Sequence, residues 1–288
     1  FNAEHSQTLP SNFHISVHPL LADWNEGTGL DMESYLDEQA SNWNSSSTDV
    51  PWINSGGTYP IPENIVSNAI PKEYTNYFDS GVESIDMDIT QFVENWIKSH
   101  EGLAIASTGS VEFTGLPAIG AQLKLLMTNG DHRIIQFTGT EEGSSGKIIF
   151  VPRSGSATEA AENLQFHLPR ESDFTTDRSS NTVSITQTST GHFGNTFISS
   201  SESFPANIIH FQNGTGIRNY GILLKLSGSF EDGSNSRSYY TKKFFSRTSQ
   251  FFLKRPVIEA QIDDSKKDDK NDLVPYTALS PESDNINS

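Results

Sequence analysis

Alternating apolar and polar residues predict the first β-strand near the start of the chain. In "FHISVHPLLADW", Phe13, Ile15 and Val17 alternate with polar residues, which is the pattern of a strand buried on one face. Residues 25–64 are rich in Gly, Pro, Asn and Ser and predict a long loop, in which "LDMESYLDEQA" would form one or two helical turns. In "SIDMDITQFVENWI" a period of two over residues 85–89 gives way to helical spacing. We therefore expect a strand that runs into a short helix.

A pattern of two strands, a helix and two more strands fills the middle of the chain. "AQLKLLMTNGDHRIIQF" places Asn129 and Gly130 between two apolar runs, which indicates a hairpin because these residues tolerate a positive φ. "SATEAAENLQFHL" offers Ser156 or Thr158 as the N-cap of a helix of about three turns. "NTVSITQTSTGHFGNTFIS" predicts two strands around a glycine turn. The order indicates a compact α+β unit.

Short strands are predicted again after residue 213. "NYGILLKLSGSF" is an apolar strand, and "YYTKKFF", "SQFFLKR" and "VIEAQI" are shorter ones. The last begins after Pro256, which suits the first position of a strand or an edge strand. Residues 264–288 are rich in Asp, Lys, Asn and Ser and indicate a linker or the start of further sequence. The chain as a whole is therefore expected to be mainly β.

Charge argues against nucleic acid as a partner. The formal net charge is −17, whereas binding to phosphate groups needs a basic face. Residues 1–103 contain two Lys or Arg against sixteen Asp or Glu, while residues 214–288 contain eleven against ten. We therefore expect the first and last thirds to pack together, with a nucleic-acid patch as the weaker interpretation.

Other features of composition narrow the class of protein. The chain has no cysteine, which excludes disulfides and thiolate chemistry. No apolar run reaches the roughly 20 residues of a membrane-spanning helix, so we expect no membrane partner. The start at Phe1, without an initiator methionine or an apolar leader, suggests a processed or partial chain.

Residue types with catalytic or metal-binding chemistry form no recognisable motif. The eight histidines are scattered and form no H-x-x-x-H pair with a third carboxylate, so zinc is not expected. Asp86 and Asp88, with the acidic loops "DWNEGTGLDME" and "DDSKKDD", would offer oxygen ligands to calcium, but no D-x-D-x-D-G loop is present and a solvated acidic strand is favoured. "EEGSSGK" does not have the spacing of a phosphate loop. We predict a non-enzymatic protein without catalytic residues, cofactor or metal.

One segment, "YYTKKFFSRTSQFFLKRPVIEAQID", combines aromatic pairs with basic residues. Because neighbouring residues of a strand face opposite ways, one member of each pair would enter the core and the other would cover an edge, a partner or the long loop. The basic residues would then meet the acidic first third, and a polyanion or glycan face is the weaker alternative. Trp96 is expected in the core, on the same helical face as Phe92 and Val93. The candidate structural and interaction residues are Trp96, Phe92, Tyr239, Tyr240, Phe244, Phe245, Phe251, Phe252, Lys242, Lys243, Arg247, Lys254 and Arg255.

The flanks of the chain resemble two groups of known proteins. "DITQFVENWI", "RNYGILLKL" and "FFSRTSQFFLKRPVIEAQID" are similar, in this order, to the DNRLRE family of jelly-roll-like β-sandwich modules. More closely, "WNEGTGLDME", "NYFDSGVESIDMDIT" and "YYTKKFFSRTSQFFLKRPVIEAQIDDSKKDD" resemble virion structural proteins of tailed marine bacteriophages, over about residues 9–103 and 216–287. The positions that match the DNRLRE pattern are Asp88, Val93, Trp96, Asn219, Gly221, Pro256, Ile258 and Ala260.

The middle of the chain separately resembles a small α+β module of phage structural proteins. Its "TSTGHFGNT" is similar to the terminal x-T-x-G-x-x-G-N motif of that module. The resemblance implies that residues 104–213 are inserted into a loop of a discontinuous, jelly-roll-like β-sandwich formed by residues 1–103 and 214–263. Insertions are tolerated at surface loops when their ends lie close together.

These resemblances imply a non-enzymatic structural protein of a tailed-phage virion, in a capsid decoration, neck, tail or fibre, assembled in the host cytoplasm. Its partners would be copies of itself and other virion proteins. The alternative is a carbohydrate-binding β-sandwich module that attaches to a host-surface glycan. Such a module needs exposed, coplanar aromatic rings that stack on sugar rings, for which Trp24, Trp43, Trp52 and the Tyr and Phe pairs are the candidates. Buried rings would exclude it.

Overall fold

The chain is mainly β and divides into two compact units. The computed structural model describes residues 3–4, 11–27, 40–54, 56–61, 64–66, 73–140, 142–153, 155–226, 234, 243–247 and 249–260. Unit 1 contains Phe1–Val17, Tyr74–Thr90 and Leu224–Ser288, and unit 2 contains His18–Glu73 and Gln91–Leu223.

Strands and helices follow one another along the described residues in a simple order. The strands are β1 (Ala3–Glu4), β2 (Phe13–Pro19), β3 (Ser45–Ser47), β4 (Val50–Pro51), β5 (Tyr74–Phe78), β6 (Ala106–Phe113), β7 (Gln122–Leu126), β8 (His132–Thr138), β9 (Gly143–Ser145), β10 (Ile148–Pro152), β11 (Phe174–Ser179), β12 (Thr182–Thr190), β13 (Ile198–Ser200), β14 (Ala206–Gln212), β15 (Ile222–Leu226) and β16 (Lys243–Phe244). The helices are α1 (Thr90–His100) and α2 (Ala157–His167), and 3₁₀ turns cover Leu168–Glu171, His192–Gly194 and Phe252–Lys254.

Unit 2 is built around two sheets and one helix. One sheet has the strand order β13-β7-β8-β10-β9 and the other has the order β11-β12-β6-β14. The pair β8 and β10 is parallel, whereas the other pairs of these sheets are antiparallel. Side chains from both sheets and from α2 form a single core, whose buried members are Val111, Phe113, Leu123, Leu125, Ile135, Phe137, Ile149, Val151, Ala160, Ala161, Leu164, Leu168, Phe174, Val183, Ile185, Ile198 and Phe211.

Two local signals of the middle segment are confirmed. Gly130 has φ +83° and its amide bonds to Met127 O at 2.9 Å, in the turn between β7 and β8. Ser156 is the N-cap of α2, because its hydroxyl accepts a hydrogen bond from the amide of Glu159 at 3.2 Å. Short-range chemistry therefore sets both the hairpin and the start of the helix.

A buried polar network connects three distant parts of unit 2 through Asn195. Asn195 Oδ1 accepts hydrogen bonds from Ser107 Oγ at 3.0 Å and from the amide of Gly214 at 2.7 Å. Asn195 Nδ2 donates to Gly214 O at 3.0 Å. A side chain at position 214 has no room, because a Cβ there would lie 2.1 Å from Ser107 Oγ. Asn195 therefore connects the glycine turn of "TSTGHFGNT" to Ser107, at the start of β6, and to Gly214, just after β14.

Gln187 satisfies a second set of buried polar groups beside the same turn. Its Oε1 accepts hydrogen bonds from the amide and the hydroxyl of Thr128, at 2.8 and 2.7 Å. Its Nε2 donates to Leu126 O at 3.0 Å and to Gly194 O at 2.9 Å. Since Gln187 is buried, these four bonds fill its whole capacity as donor and acceptor.

Unit 1 is built on the sheet β15-β2-β5. Phe13 pairs with Phe78 across β2 and β5, and their rings stack with centroids 4.9 Å apart. The buried core consists of Phe13, Ile15, Phe78 and Ile85, and side chains from β15 and β16 pack against it.

Two expectations for the first third need correction. Residues 85–89 keep the alternation of burial but belong to no strand, so the predicted strand before α1 is wrong. The strand at Phe13–Pro19 is confirmed, but its polar face is only partly open to solvent, since His14 is exposed whereas Ser16 and His18 are buried. His18 Nε2 lies 3.3 Å from Glu73 Oε2, and this carboxylate gives the buried ring a polar partner.

The predicted domain boundaries stay a prediction. The compact units place residues 18–73 and 91–103 with the middle segment, whereas the sequence assigned residues 1–103 to the sandwich together with residues 214–263. The two large sheets of unit 2 nevertheless take all their described strands from residues 106–212. The helical piece expected at residues 30–40 lies outside the described residues, apart from Ala40.

We expect Asn195→Ala to lower the free energy of unfolding by roughly 3–5 kcal/mol. The substitution removes the partner of both backbone groups of Gly214 and the shorter of the two hydrogen bonds of Ser107 Oγ, and each buried polar group left unsatisfied costs about 1–3 kcal/mol. Chemical denaturation followed by circular dichroism measures the loss. Asn207→Ala is the matched control, because that amide is exposed and bonds Glu112. Equal, small losses for the two variants would show that the network does not stabilise unit 2.

Removal of the Trp96 ring is expected to cost roughly 3–5 kcal/mol, because a large buried aromatic leaves a cavity. Trp96 and Phe92 are buried on α1, as predicted, with ring centroids 6.3 Å apart. Trp96 Nε1 is buried and has no hydrogen-bond partner in the part of the chain that the structure describes, so Trp96→Phe should cost less than Trp96→Ala. Gln91→Ala, at an exposed position of the same helix, is the control. A loss below about 1 kcal/mol for Trp96→Ala would contradict a role in the core.

Candidate functional site

The aromatic and basic segment takes a different conformation from the three strands that its sequence predicts. Of "YYTKKFF", the described strand is β16, Lys243–Phe244, which pairs with β1. Phe252–Lys254 is a 3₁₀ turn, and residues 257–260 belong to no strand, so the last two predicted strands are wrong. The turn closes on itself through a bond from the Lys254 amide to Phe251 O at 2.9 Å, which leaves no ladder for a strand. Tyr239, Tyr240 and Lys242 lie outside the described residues.

The aromatic residues of this segment are not divided between core and surface as expected. Phe244 packs against the core of unit 1, in agreement with a structural role. Phe251 and Phe252 are both exposed, at 54 % and 69 %, so the expectation that one of them is buried is wrong. The exposed apolar side chains continue through the turn, and we call residues 251–258 the apolar segment. They include Phe251, Phe252, Leu253, Val257 and Ile258.

Contacts of the basic residues involve rings and backbone. Lys254 Nζ lies 4.9 Å from the ring centroid of Phe245 and 5.9 Å from that of Phe251, within the range of a cation–π interaction. Arg255 Nε donates to Ser249 O at 2.8 Å. Lys243 and Arg247 are exposed. Pairing of these residues with the acidic first third stays a prediction.

A second candidate surface is formed by tryptophans in unit 2. Trp24 and Trp43 are 40 % and 55 % exposed, and Trp52 is half-buried. Trp24 Nε1 donates to Tyr220 O at 2.8 Å, and Trp52 Nε1 donates to Asn42 O at 2.7 Å. Two of the three rings therefore meet the condition of exposure that carbohydrate binding requires. We call Trp24, Trp43 and Trp52 the tryptophan surface.

The backbone around this surface is fixed by hydrogen bonds. The amide of Asn25 bonds Ser46 O at 2.8 Å, and the amide of Ser41 bonds Asn25 O at 2.8 Å, so the chain next to Trp24 runs beside the chain next to Trp43. The amide of Trp52 bonds Asn44 O at 3.0 Å. The long polar loop expected here thus contains an ordered part, with the β3–β4 pair at its centre.

Asp88, one of the acidic groups suggested as calcium ligands, and Glu83, which was not among them, are engaged in local structure, while "DDSKKDD" lies outside the described residues. Asp88 Oδ1 accepts hydrogen bonds from the hydroxyl and the amide of Thr90, at 2.5 and 2.8 Å, and these bonds lower the pKa of Asp88. Hydrogen bonds from the amide of Ser80, and further backbone and hydroxyl donors, lower the pKa of Glu83 to about 2. Among the described residues no group of three or more His, Asp or Glu side chains is placed to hold a metal ion.

Two histidines of unit 2 have lowered pKa values. Burial lowers the pKa of His167, and the charge of Arg170 lowers it further, against the opposite effect of Glu142. Burial also lowers the pKa of His132, helped by the charges of Lys124 and Lys147. Both rings therefore favour the neutral form in the folded state.

Lower pH is expected to destabilise unit 2 through these rings. In the unfolded chain both histidines take up a proton as pH falls below about 6.5, while in the folded state they resist it. The free energy of unfolding should therefore fall as pH drops below that value, until the lower folded pKa values are reached. Urea titrations across this range should show the fall, and His167→Gln should reduce it. At pH values just above about 6.5, these two rings should leave the free energy of unfolding unchanged with pH. A free energy of unfolding that rises on acidification would contradict the account.

Comparison of the chain with protein-family models, with curated proteins and with solved structures finds no match. The resemblances to the DNRLRE modules and to phage virion proteins therefore stay expectations drawn from the quoted motifs. In the described part of the chain, no helix has the length and apolar character needed to cross a membrane. The geometry offers two surfaces, the apolar segment and the tryptophan surface, as candidates for function.

Proposed function

We propose that the protein is a non-enzymatic structural component of a tailed-phage virion and acts through contacts between subunits. The observation that carries the assembly role is the exposure of the apolar segment, whose large side chains range from 54 % exposed at Phe251 to 80 % at Leu253. Contiguous exposed apolar surface is typical of protein interaction sites. The virion assignment rests on the sequence resemblance of the flanks.

Charge favours a second copy of the chain as the partner that covers the apolar segment. The apolar segment carries Lys254 and Arg255, and Lys243 is exposed nearby in sequence. The whole chain has a net charge of −17, so any other copy presents mostly acidic surface to these cations. Complementary charge increases the rate of association and fixes the orientation of partners.

The backbone of the same segment suits strand addition. Residues 257–260 follow Pro256 and are exposed on both faces, outside any strand. A free β-compatible segment can pair with the edge of a sheet in a neighbouring molecule.

A finer arrangement is proposed for the fold, namely a jelly-roll-like sandwich interrupted by residues 104–213. The ends of this middle segment lie side by side, since Ile105 and Thr215 form an antiparallel bridge with bonds of 3.2 and 3.0 Å between their backbone groups. Close ends are what an insertion into a surface loop requires. In the assembly the inserted module would project outward as decoration or as a second contact.

Association should depend on the apolar segment. Sedimentation velocity of the full chain is expected to show oligomers that grow with concentration, and the triple substitution Phe252→Asp, Leu253→Asp and Ile258→Asp is expected to leave monomers. These side chains are exposed, so the variant should fold, which circular dichroism can check. Ile209→Asp, at an exposed apolar position on β14, is the control and should associate normally.

Two results would overturn the proposal of assembly through this segment. One is a wild-type chain that remains a monodisperse monomer at high concentration. The other is a triple variant that associates as strongly as the wild type and the Ile209→Asp control.

A further inference from the structure

The Trp43 ring is held on one side and open on the other. Gly56 has φ +84°, and a Cβ at this position would lie 2.7 Å from Trp43 Cζ3 and 2.9 Å from Cη2. The ring therefore lies directly on the Gly56 backbone, whose amide also bonds Trp43 O at 2.8 Å. More than half of the side chain, 55 %, is nevertheless exposed. This gives a flat aromatic surface with a fixed orientation, facing solvent.

Asn42 and Asn44 flank Trp43 in the sequence, and their side chains differ in their hydrogen bonds. Asn42 is used inside the turn, since its Oδ1 accepts from the amides of Asn44 and Ser45, at 2.8 and 3.1 Å. Asn44, on the other side of Trp43 in the sequence, is exposed, and its side-chain amide bonds no described residue. The Trp43 indole N–H is likewise without a described partner. The ring thus offers one donor, and Asn44, the next residue in the sequence, offers donors and an acceptor.

Trp24 adds a second exposed ring in the same region. Its indole N–H is bound to Tyr220 O, so the orientation of this ring is fixed as well. The bonds of Asn25 with Ser41 and Ser46 connect its backbone to the turn that carries Trp43. Trp52 supports this turn from the inside, through its bonds to Asn42 O and Asn44 O.

The charge of the region selects among ligands that use aromatic rings. Residues 40–61 contain no Lys or Arg and a single acidic residue, Asp49, and residues 20–27 around Trp24 contain no Lys or Arg and two acidic residues, Asp23 and Glu26. Nucleic acids need basic residues for their phosphates in addition to stacking rings. A neutral saccharide needs the aromatic ring but no basic residues. The C–H face of a sugar ring packs on an aromatic face, and its hydroxyl groups bond amides and indole N–H groups.

We propose that the tryptophan surface is a binding site for a neutral saccharide, with one sugar ring on Trp43, its hydroxyl groups bonded to Asn44, and a further ring near Trp24. The site is separate from the apolar segment and does not depend on the assembly proposed above. It gives the protein an affinity for surface polysaccharide that self-association alone does not provide.

Titration of the full chain with maltohexaose, cellohexaose, chitohexaose and dextran tests the proposal. Tryptophan fluorescence and isothermal calorimetry should show saturable binding of at least one of these probes. Trp43→Ala should weaken that binding by about tenfold or more, as loss of a stacking ring does. Asn44→Ala should weaken it by a smaller factor, and Trp43→Phe should retain part of it. Phe166→Ala is the matched control, because it removes an exposed aromatic ring from α2.

The proposal would be overturned if none of the four probes binds at millimolar concentration. It would also be overturned if Trp43→Ala binds as tightly as the wild type, or if Phe166→Ala weakens binding as much as Trp43→Ala does. Sedimentation of the same Trp43→Ala sample should show unchanged association, which separates this site from the apolar segment.

Discussion

The hydrogen bonds of Asn195 are the constraint on which unit 2 depends most. This one side chain joins Ser107, at the start of β6, to Gly214, just after β14, and it lies itself in the turn between β12 and β13. Buried polar groups must find partners, and both Ser107 and Gly214 bond the side chain of Asn195. Gly214 has no space for a side chain, so the closure also fixes the residue type at that position. The apolar core can fill the space between the sheets, but the polar network determines how the ends of the middle segment meet.

This closure explains how one chain can carry separate surfaces. With Ile105 and Thr215 side by side, the sheets from β6 to β14 share one core and take all their described strands from residues 106–212. The flanking sequence is then available for other tasks, and both candidate surfaces lie there, on the tryptophan-containing loops and on the apolar segment. Among the described residues, the buried core of unit 1 consists of Phe13, Ile15, Phe78 and Ile85.

Short-range signals in the sequence were sufficient for elements whose structure is decided locally. The hairpin at Gly130 and the cap at Ser156 depend on the φ preference of a single residue or on one hydroxyl group, and both were predicted. Alternation was less reliable, because it reports which side chains are buried and not whether the backbone has a strand beside it. Residues 85–89 show this, since they alternate in burial without joining a sheet. The parallel pairing of β8 with β10 depends on contacts that no local pattern contains.

The candidate sites were predicted in part. Exposure of Trp24 and Trp43 was named as the requirement for glycan binding, but the sequence did not indicate that Gly56 supports the Trp43 ring. Two tryptophans close to a Gly–Gly pair in "WNSSSTDVPWINSGG" are the signal that was available. For the apolar segment, the aromatic pairs were recognised, while their exposure could not be predicted because it depends on which strands reach them.

Residue-resolved hydrogen exchange of the intact chain tests the central claim, that the Asn195 network closes unit 2 as a separately stable body, most directly. The account predicts that the amides of Gly214 and Thr215 exchange as slowly as those of β6 and β12, and that the amides of β2 and β5 open with a lower free energy of their own. Fast exchange at Gly214 and Thr215 beside a protected β6 would contradict the closure. A single opening free energy shared by β2, β5 and β6 would contradict the separation into two units.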